Sequence, residues 1–226
     1  MLVNIDMGDL EQGDFNFPQG NITITVKLND ETMYGHVSSA AMALASPVWK
    51  KFVFPPWQAK GASSQLELVN DCMISESANL SSTMKELHND SENMAKSTSI
   101  DFSEDNAQAL QLLLRIVHLQ FDRLPISIDC KLLFHLAELC DQYLCLNIVQ
   151  PWLQRWIDES HIVPNEFNNV IAPTQCLFTY WTFGLDDDFR SLASRMVTAT
   201  RFENGEYRTD DNHVLGEPSP PGIIGK

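Results

Sequence analysis

The chain has 226 residues, of which 44% are hydrophobic and 20% are charged, so it holds enough apolar material for one or two folded domains. Its 15 Lys and Arg residues oppose 30 Asp and Glu residues, and the net charge of −15 disfavours binding to a phosphate backbone. No apolar run approaches the roughly 18 residues that a membrane helix needs. These numbers predict a protein that neither binds nucleic acid nor spans a membrane.

Residues 1–20 are acidic, contain little periodic pattern and are predicted to form a loose arm. They lack the basic start and apolar run of a secretory signal, so we expect the protein in the cytosol or the nucleus. Cysteines in such a reducing compartment are expected to be free thiols. The chain has five of them: Cys72, Cys130, Cys140, Cys145 and Cys176.

A β-hairpin is predicted where ordered structure begins. Aliphatic residues alternate with polar ones over residues 22–28, which places them on one face of a strand. Asn29-Asp30 supplies a turn because both residues tolerate left-handed backbone conformations. The return strand covers residues 31–37, with Gly35 where backbones approach closely.

Two short helices are predicted next. Ser38 or Ser39 is a candidate N-cap for a helix over residues 40–45, and Pro47 suits the first position of the following helix. Residues 58–97 then change to a Ser- and Asn-rich composition without a sustained period. We interpret this segment as an insertion.

Regular pattern resumes with a short alternating strand at residues 99–102. Ser103 is the predicted N-cap of the next helix, whose apolar stripe extends to Phe121. Residues 128–144 follow as a helix that is apolar on most faces, as is typical of a core helix.

The last third of the chain contains shorter helices separated by prolines. Pro151 is predicted to start or kink one helix, and Pro164 and Pro173 delimit two more. The final helix follows Gly184, with acidic residues in its first turn and one apolar face. That face is formed by Phe189, Leu192, Met196 and Val197. Beyond Thr200 the Gly- and Pro-rich sequence predicts a tail.

The order of a hairpin, two short helices, a third strand and a helical half resembles the BTB/POZ domain, in particular the BTB proteins abundant in filamentous fungi. The resemblance is carried by Ala45-Ser46-Pro47-Val48-Trp49, by residues 100–105 followed by 112–118, and by residues 137–145. The match covers residues 22–158, interrupted by the insertion. Residues 164–200 look like the start of the helical extension that often follows such domains.

The resemblance implies an α+β fold in which a small three-stranded sheet is flanked by a helical cluster, with a short C-terminal helical extension. The implied organisation is an acidic arm (1–20), a BTB/POZ domain (21–160) with its insertion (58–97), a helical extension (161–200) and a disordered tail (201–226). The implied function is non-enzymatic: an adaptor or scaffold that self-associates or docks a protein partner such as a cullin-type ubiquitin ligase.

Aromatic and apolar residues are the candidates for partner binding, since such residues are over-represented at interaction hot spots. In the resemblance the docking face comprises residues 40–54 and the helices after Ser103. The candidates are Val48, Trp49, Phe52, Trp152 and Trp156. For Trp152 and Trp156, packing between the domain core and the C-terminal helices is the alternative.

An enzyme that uses a thiol or a metal is the alternative from a different class. Cys130, His135, Cys140 and Cys145 share one helical neighbourhood and could ligate a metal, and Cys140 or Cys145 could act as a nucleophile. However, no Cys-x-x-Cys pair exists, and Cys130 and Cys140 fall on an apolar stripe that favours buried thiols. Asp186-Asp187-Asp188 could bind a cation, although helix capping also explains the three acids. The sequence therefore predicts no cofactor.

Overall fold

The computed structural model describes residues 12–55, 99–160, 171–209, 214–216 and 220. The insertion at 58–97, with Cys72, and also Pro164 lie outside the described residues. The described residues divide into two compact units, one spanning Gln12–Glu104 and the other beginning at Asp105. The first holds a three-stranded sheet and the second is mainly helical, which confirms the α+β class.

The first unit is built around β1 (Ile22–Leu28), which lies between β2 (Glu31–Val37) and β3 (Ser99–Phe102). β1 pairs antiparallel with β2 and parallel with β3. The predicted turn between β1 and β2 is confirmed, with φ of 49° at Asn29 and 67° at Asp30. The apolar faces of the three strands are buried: Ile22, Ile24, Val26, Met33, Val37, Ile100 and Phe102.

Serine side chains cap the two short helices, α1 (Ser39–Ala45) and α2 (Pro47–Val53). The Ser46 hydroxyl accepts hydrogen bonds from the backbone N–H groups of Val48 and Trp49, at 3.1 and 3.0 Å. Pro47 fills the first turn of α2, where its missing N–H costs nothing. Ser46 alone separates the two predicted helices, as the C-cap of α1 and the N-cap of α2.

The loose-arm prediction is wrong for residues 12–20. Residues Gln12–Phe15 form a 3-10 turn, and Phe15 and Phe17 are buried. The Phe17 N–H donates a 2.9 Å hydrogen bond to the carbonyl of His36, which docks this segment on β2. Two aromatic side chains thus add to the core of the first unit.

Five helices make up most of the second unit: α3 (Ala107–Val117), α4 (Cys130–Tyr143), α5 (Leu146–Ser160), α6 (Pro173–Phe183) and α7 (Asp186–Ala199). The central helix is α4, which contacts α3, α5 and α6. Its predicted role as a core helix is confirmed by buried side chains on most faces, among them Leu133, Phe134, Leu136, Ala137 and Cys140.

Both ends of α3 differ from the prediction. Asn106 is the N-cap, because its Oδ1 accepts a 3.0 Å hydrogen bond from the Ala109 N–H. The Ser103 N–H instead donates to Oδ1 of Asp101 in a local turn, at 2.9 Å. At the other end α3 stops at Val117, so Phe121 lies in a separate 3-10 turn (Phe121–Arg123) and not on the helical stripe.

The C-terminal part also corrects several boundaries. Pro151 lies inside α5 and not at its start. Val197, which belongs to the predicted apolar face of the final helix, is 78% exposed. The predicted tail is wrong for residues 201–209, which belong to a β-hairpin of β4 (Thr200–Glu203) and β5 (Glu206–Thr209). Its turn is Asn204-Gly205, a sequence that favours tight hairpins.

Substitution of Gly35 tests the docking of the N-terminal segment on β2. A Cβ atom on Gly35 would overlap the backbone and Cβ of Phe15. We expect Gly35→Ala to lower the free energy of unfolding by about 1–3 kcal/mol, as overpacked cores do. The measurement is urea unfolding followed by circular dichroism.

Gly13→Ala is the matched control, since nothing lies within 4 Å of a Cβ at that position. Gly13 lies in the 3-10 turn that contains Phe15, and Gly13→Ala should change the free energy of unfolding far less than Gly35→Ala. Equal effects of the two substitutions would contradict the proposed close contact between Phe15 and Gly35.

Candidate interaction surfaces

The predicted partner-binding residues of the first unit have different positions. Phe52 is 42% exposed and Val48 is partly buried, whereas Trp49 is fully buried. The Trp49 ring meets Phe102 edge to face, with 6.2 Å between centroids, and so joins α2 to β3. A side chain in this position belongs to the core and leaves no ring surface for a partner.

Two further apolar side chains are exposed on the same helical corner. Leu44 of α1 is 91% exposed, and Phe54, directly after α2, is 58% exposed. Together with Phe52 they define the α1–α2 surface. Leu44 follows the buried Met42 by two residues, about 200° around a helix, and therefore faces away from the core. Leu44 and Phe54 both lie within residues 40–54 of the docking face that the resemblance implies, although neither is among the five predicted partner-binding residues.

Trp152 and Trp156 of the second unit lie on α5 and also differ in exposure. Trp156 is fully buried, and its Nε1 donates a 3.0 Å hydrogen bond to the carbonyl of Pro125. Trp152 is partly buried and packs against Phe121, with 5.2 Å between ring centroids. Packing is thus the outcome for Trp156, and Trp152 remains accessible to a partner.

An open groove of about 520 Å³ runs beside Trp152 and is lined by Pro151, Gln154, Arg155 and Asp158. Gln154 donates a 2.9 Å hydrogen bond to the Asp158 carboxylate. The groove combines one aromatic face with amide and charged groups, a composition that suits contact with another protein.

The contact between Cys140 and Cys145 closes the C-terminus of α4. Leu144 adopts a left-handed conformation with φ of 52°, and the Cys145 N–H donates to the Cys140 carbonyl at 3.1 Å. This is the 6→1 bond of a Schellman motif, which usually brings an apolar contact between the same two positions. Here the two buried thiols make that contact.

Both thiols of this contact lack the properties of a nucleophile. The hydrogen bond to Cys145, together with burial, holds the pKa of Cys140 far above its usual value. The Cys145 Sγ donates to the Leu139 carbonyl at 3.8 Å. Since the thiolate is the reactive form, a protonated and buried thiol favours a structural role.

The other candidate ligands are dispersed. Burial raises the pKa of Cys130, and it raises the pKa of Cys176 to about 11. His135 pairs through Nδ1 with Glu138 on the same helix, at 2.8 Å. Within the described ranges, no group of three or more His, Cys, Asp or Glu residues is placed to hold a metal ion. The three acids at Asp186–Asp188 occupy the first turn of α7, where the helix dipole favours them.

Gln111 is a polar residue whose burial the sequence pattern does not predict. It lies on α3 among leucines and is fully buried, yet neither atom of its amide has a hydrogen-bond partner among the described residues. An unsatisfied buried amide costs about 1–3 kcal/mol. The apolar pattern around it hides the residue, because a single polar position does not break the helical stripe.

Comparison with known proteins gives no family assignment. No family model, curated protein or solved structure has a significant match to the chain. Among the described helices, none is both long enough and apolar enough to cross a membrane.

Gln111→Leu tests the cost of the buried amide. Because leucine has a similar volume and no polar atoms to desolvate, we expect the free energy of unfolding to rise by about 1 kcal/mol. Chemical denaturation measures this change. A loss of stability would mean that the amide has a partner in solution.

Alkylation tests the environment of the thiols. In the native chain, iodoacetamide should modify Cys140 and Cys145 about tenfold or more slowly than the partly exposed Cys130, since both thiols are buried. Peptide mass spectrometry resolves the sites, and the same reaction in urea serves as the control. Rapid native labelling of Cys140 would favour the thiol-enzyme alternative.

Proposed function

We propose that this chain is a BTB-type, non-enzymatic adaptor or scaffold, which self-associates or docks a protein partner such as a cullin-type ubiquitin ligase. The exposed apolar residues of the α1–α2 surface carry the proposal. Leu44, Phe52 and Phe54 lie within eleven consecutive residues and are between 42% and 91% exposed. Large apolar groups grouped on a surface mark sites of protein contact.

The element order supports the same proposal. A hairpin precedes α1 and α2, and β3 returns beside β1 before the helices of the second unit begin. This is the order on which the resemblance to the BTB/POZ domain rests. The finer assignment to that family is part of the proposal.

The α1–α2 surface is built on a rigid support. Met42, Trp49 and Val53 anchor the two helices in the core of the first unit, and the Ser46 side chain caps α2. A partner would therefore meet side chains whose backbone is already ordered, which lowers the entropy cost of binding.

Binding to a purified fungal cullin scaffold, measured by isothermal titration calorimetry, tests the proposal. We expect the full chain to bind and Phe52→Glu/Phe54→Glu to weaken binding about tenfold or more, because two exposed rings are replaced by charges.

Tyr34→Glu is the matched control. Tyr34 is an aromatic residue of the same unit that is 53% exposed, but it lies on β2 and not on the α1–α2 surface. Its replacement should leave binding unchanged. A chain that neither binds the cullin nor self-associates would contradict the proposal.

A further inference from the structure

The β4–β5 hairpin (residues 200–209) is the feature from which we draw a further inference. Its turn residues Asn204 and Gly205 have φ of 53° and 89°, as in a two-residue type I′ turn. Phe202 lies opposite Tyr207, and their ring centroids are 4.9 Å apart. The rings are 64% and 40% exposed, so an aromatic pair remains largely in solvent.

The hydrogen-bond alternation of the hairpin determines where the backbone of Phe202 points. The carbonyl of Tyr207 accepts a 2.8 Å hydrogen bond from the Leu215 N–H, on the side of β5 away from β4. Phe202 and Tyr207 are therefore a non-hydrogen-bonded pair. The N–H and C=O of Phe202 consequently point away from β5, to the outer edge of β4, where the described part of the sheet has no further strand.

The other face of the hairpin carries charges in an unfavourable arrangement. Arg201 lies opposite Arg208, and Glu203 lies opposite Glu206. Like charges directly across a strand pair destabilise it. The ion pair between Arg208 and Glu206, at 2.6 Å, joins residues of the same strand and leaves both like-charged oppositions in place.

We propose that the outer edge of β4 pairs with β4 of a second copy of this chain, antiparallel and with a two-fold axis at Phe202. In this register the two Phe202 residues exchange their N–H and C=O groups. Arg201 then lies opposite Glu203 of the second copy, and Glu203 lies opposite Arg201 of the second copy. The two aromatic pairs form one continuous row.

Self-complementarity is the reason for choosing a second copy as the partner. A two-fold axis requires each surface to match itself, and Arg and Glu flank Phe202 symmetrically. Arg201 also has an interaction within its own chain. The proposed register requires only that Arg201 lie opposite Glu203 of the second copy. That residue carries the opposite charge, whereas β5 places the like-charged Arg208 opposite Arg201.

The hairpin is held in place by the helical core. Leu215, whose N–H bonds to Tyr207, packs against a buried cluster of α6 and α7 formed by Leu177, Tyr180, Leu192 and Met196. β4 also continues directly from α7. The edge is thus presented by an anchored element, although a strand this short gives a weak, concentration-dependent dimer.

Charge reversal on the full chain tests this register, with sedimentation velocity as the measurement. Arg201→Glu and Glu203→Arg should each weaken the dimer about tenfold, since each places like charges across both symmetric contacts. Each substitution also puts opposite charges across the hairpin itself, facing Arg208 or Glu206. Loss of the dimer therefore cannot be attributed to unfolding of the hairpin.

Two combinations restore the pairing. The double variant R201E/E203R should dimerise at least as well as the natural chain, and an equimolar mixture of the two single variants should form a heterodimer. A mixture that stays monomeric, or single variants that dimerise as the natural chain does, would overturn the proposal. So would a natural chain that is monomeric up to about 1 mM.

This inference concerns residues outside the α1–α2 surface and does not rest on the proposed function. Phe52→Glu/Phe54→Glu is the variant that separates the two. It should leave β4-dependent association unchanged while it weakens cullin binding.

Discussion

Ile24 lies beside Ile100 because β1 and β3 pair in parallel. β2 returns the chain to the end of the sheet where β1 begins, since Val37 lies opposite Ile22, and β3 starts at that same end, with Ser99 beside Thr23. The chain between β2 and β3 therefore has to cross over from one edge of the sheet to the other. α1 and α2 lie within that crossover, and Trp49 fastens it to β3 through its contact with Phe102. One side of α1 and α2 packs against this core, and the opposite side is therefore exposed. The α1–α2 surface is thus a product of the sheet topology.

Patterns of period two and the cap residues could be predicted from the sequence. The first three strands, the turn at Asn29-Asp30 and the Pro47 start of α2 all follow from local preferences that agree with tertiary packing. Local competition explains the error at Ser103, where Asp101 takes up the N–H and Asn106 becomes the cap. At the C-terminus, Pro- and Gly-rich composition obscured Asn204-Gly205, although this dipeptide is itself a hairpin signal.

The candidate site could be predicted only as a region. Aromatic identity selected Trp49 and Trp156, but large rings are also the groups that gain most from burial. Whether a given ring lies in the core or on the surface depends on the direction in which its side chain points. A seven-residue helix has too little periodic pattern to define that direction. Leu44 and Phe54 illustrate the limit, because nothing local separates them from the buried Met42 and Val53.

Leu144 shows that α4 ends in a conformation its sequence does not favour. A left-handed backbone costs an L-residue about 1–2 kcal/mol, and glycine usually occupies this position. The side chain recovers little of that cost by burial, since it is 63% exposed at the rim of a groove of about 440 Å³ that also includes Trp181. The left-handed conformation of Leu144 therefore lowers the stability of the folded state while its apolar side chain stays exposed to solvent. Proteins commonly tolerate such a cost because they need only exceed a stability threshold, which makes the end of α4 a natural place to raise the melting temperature.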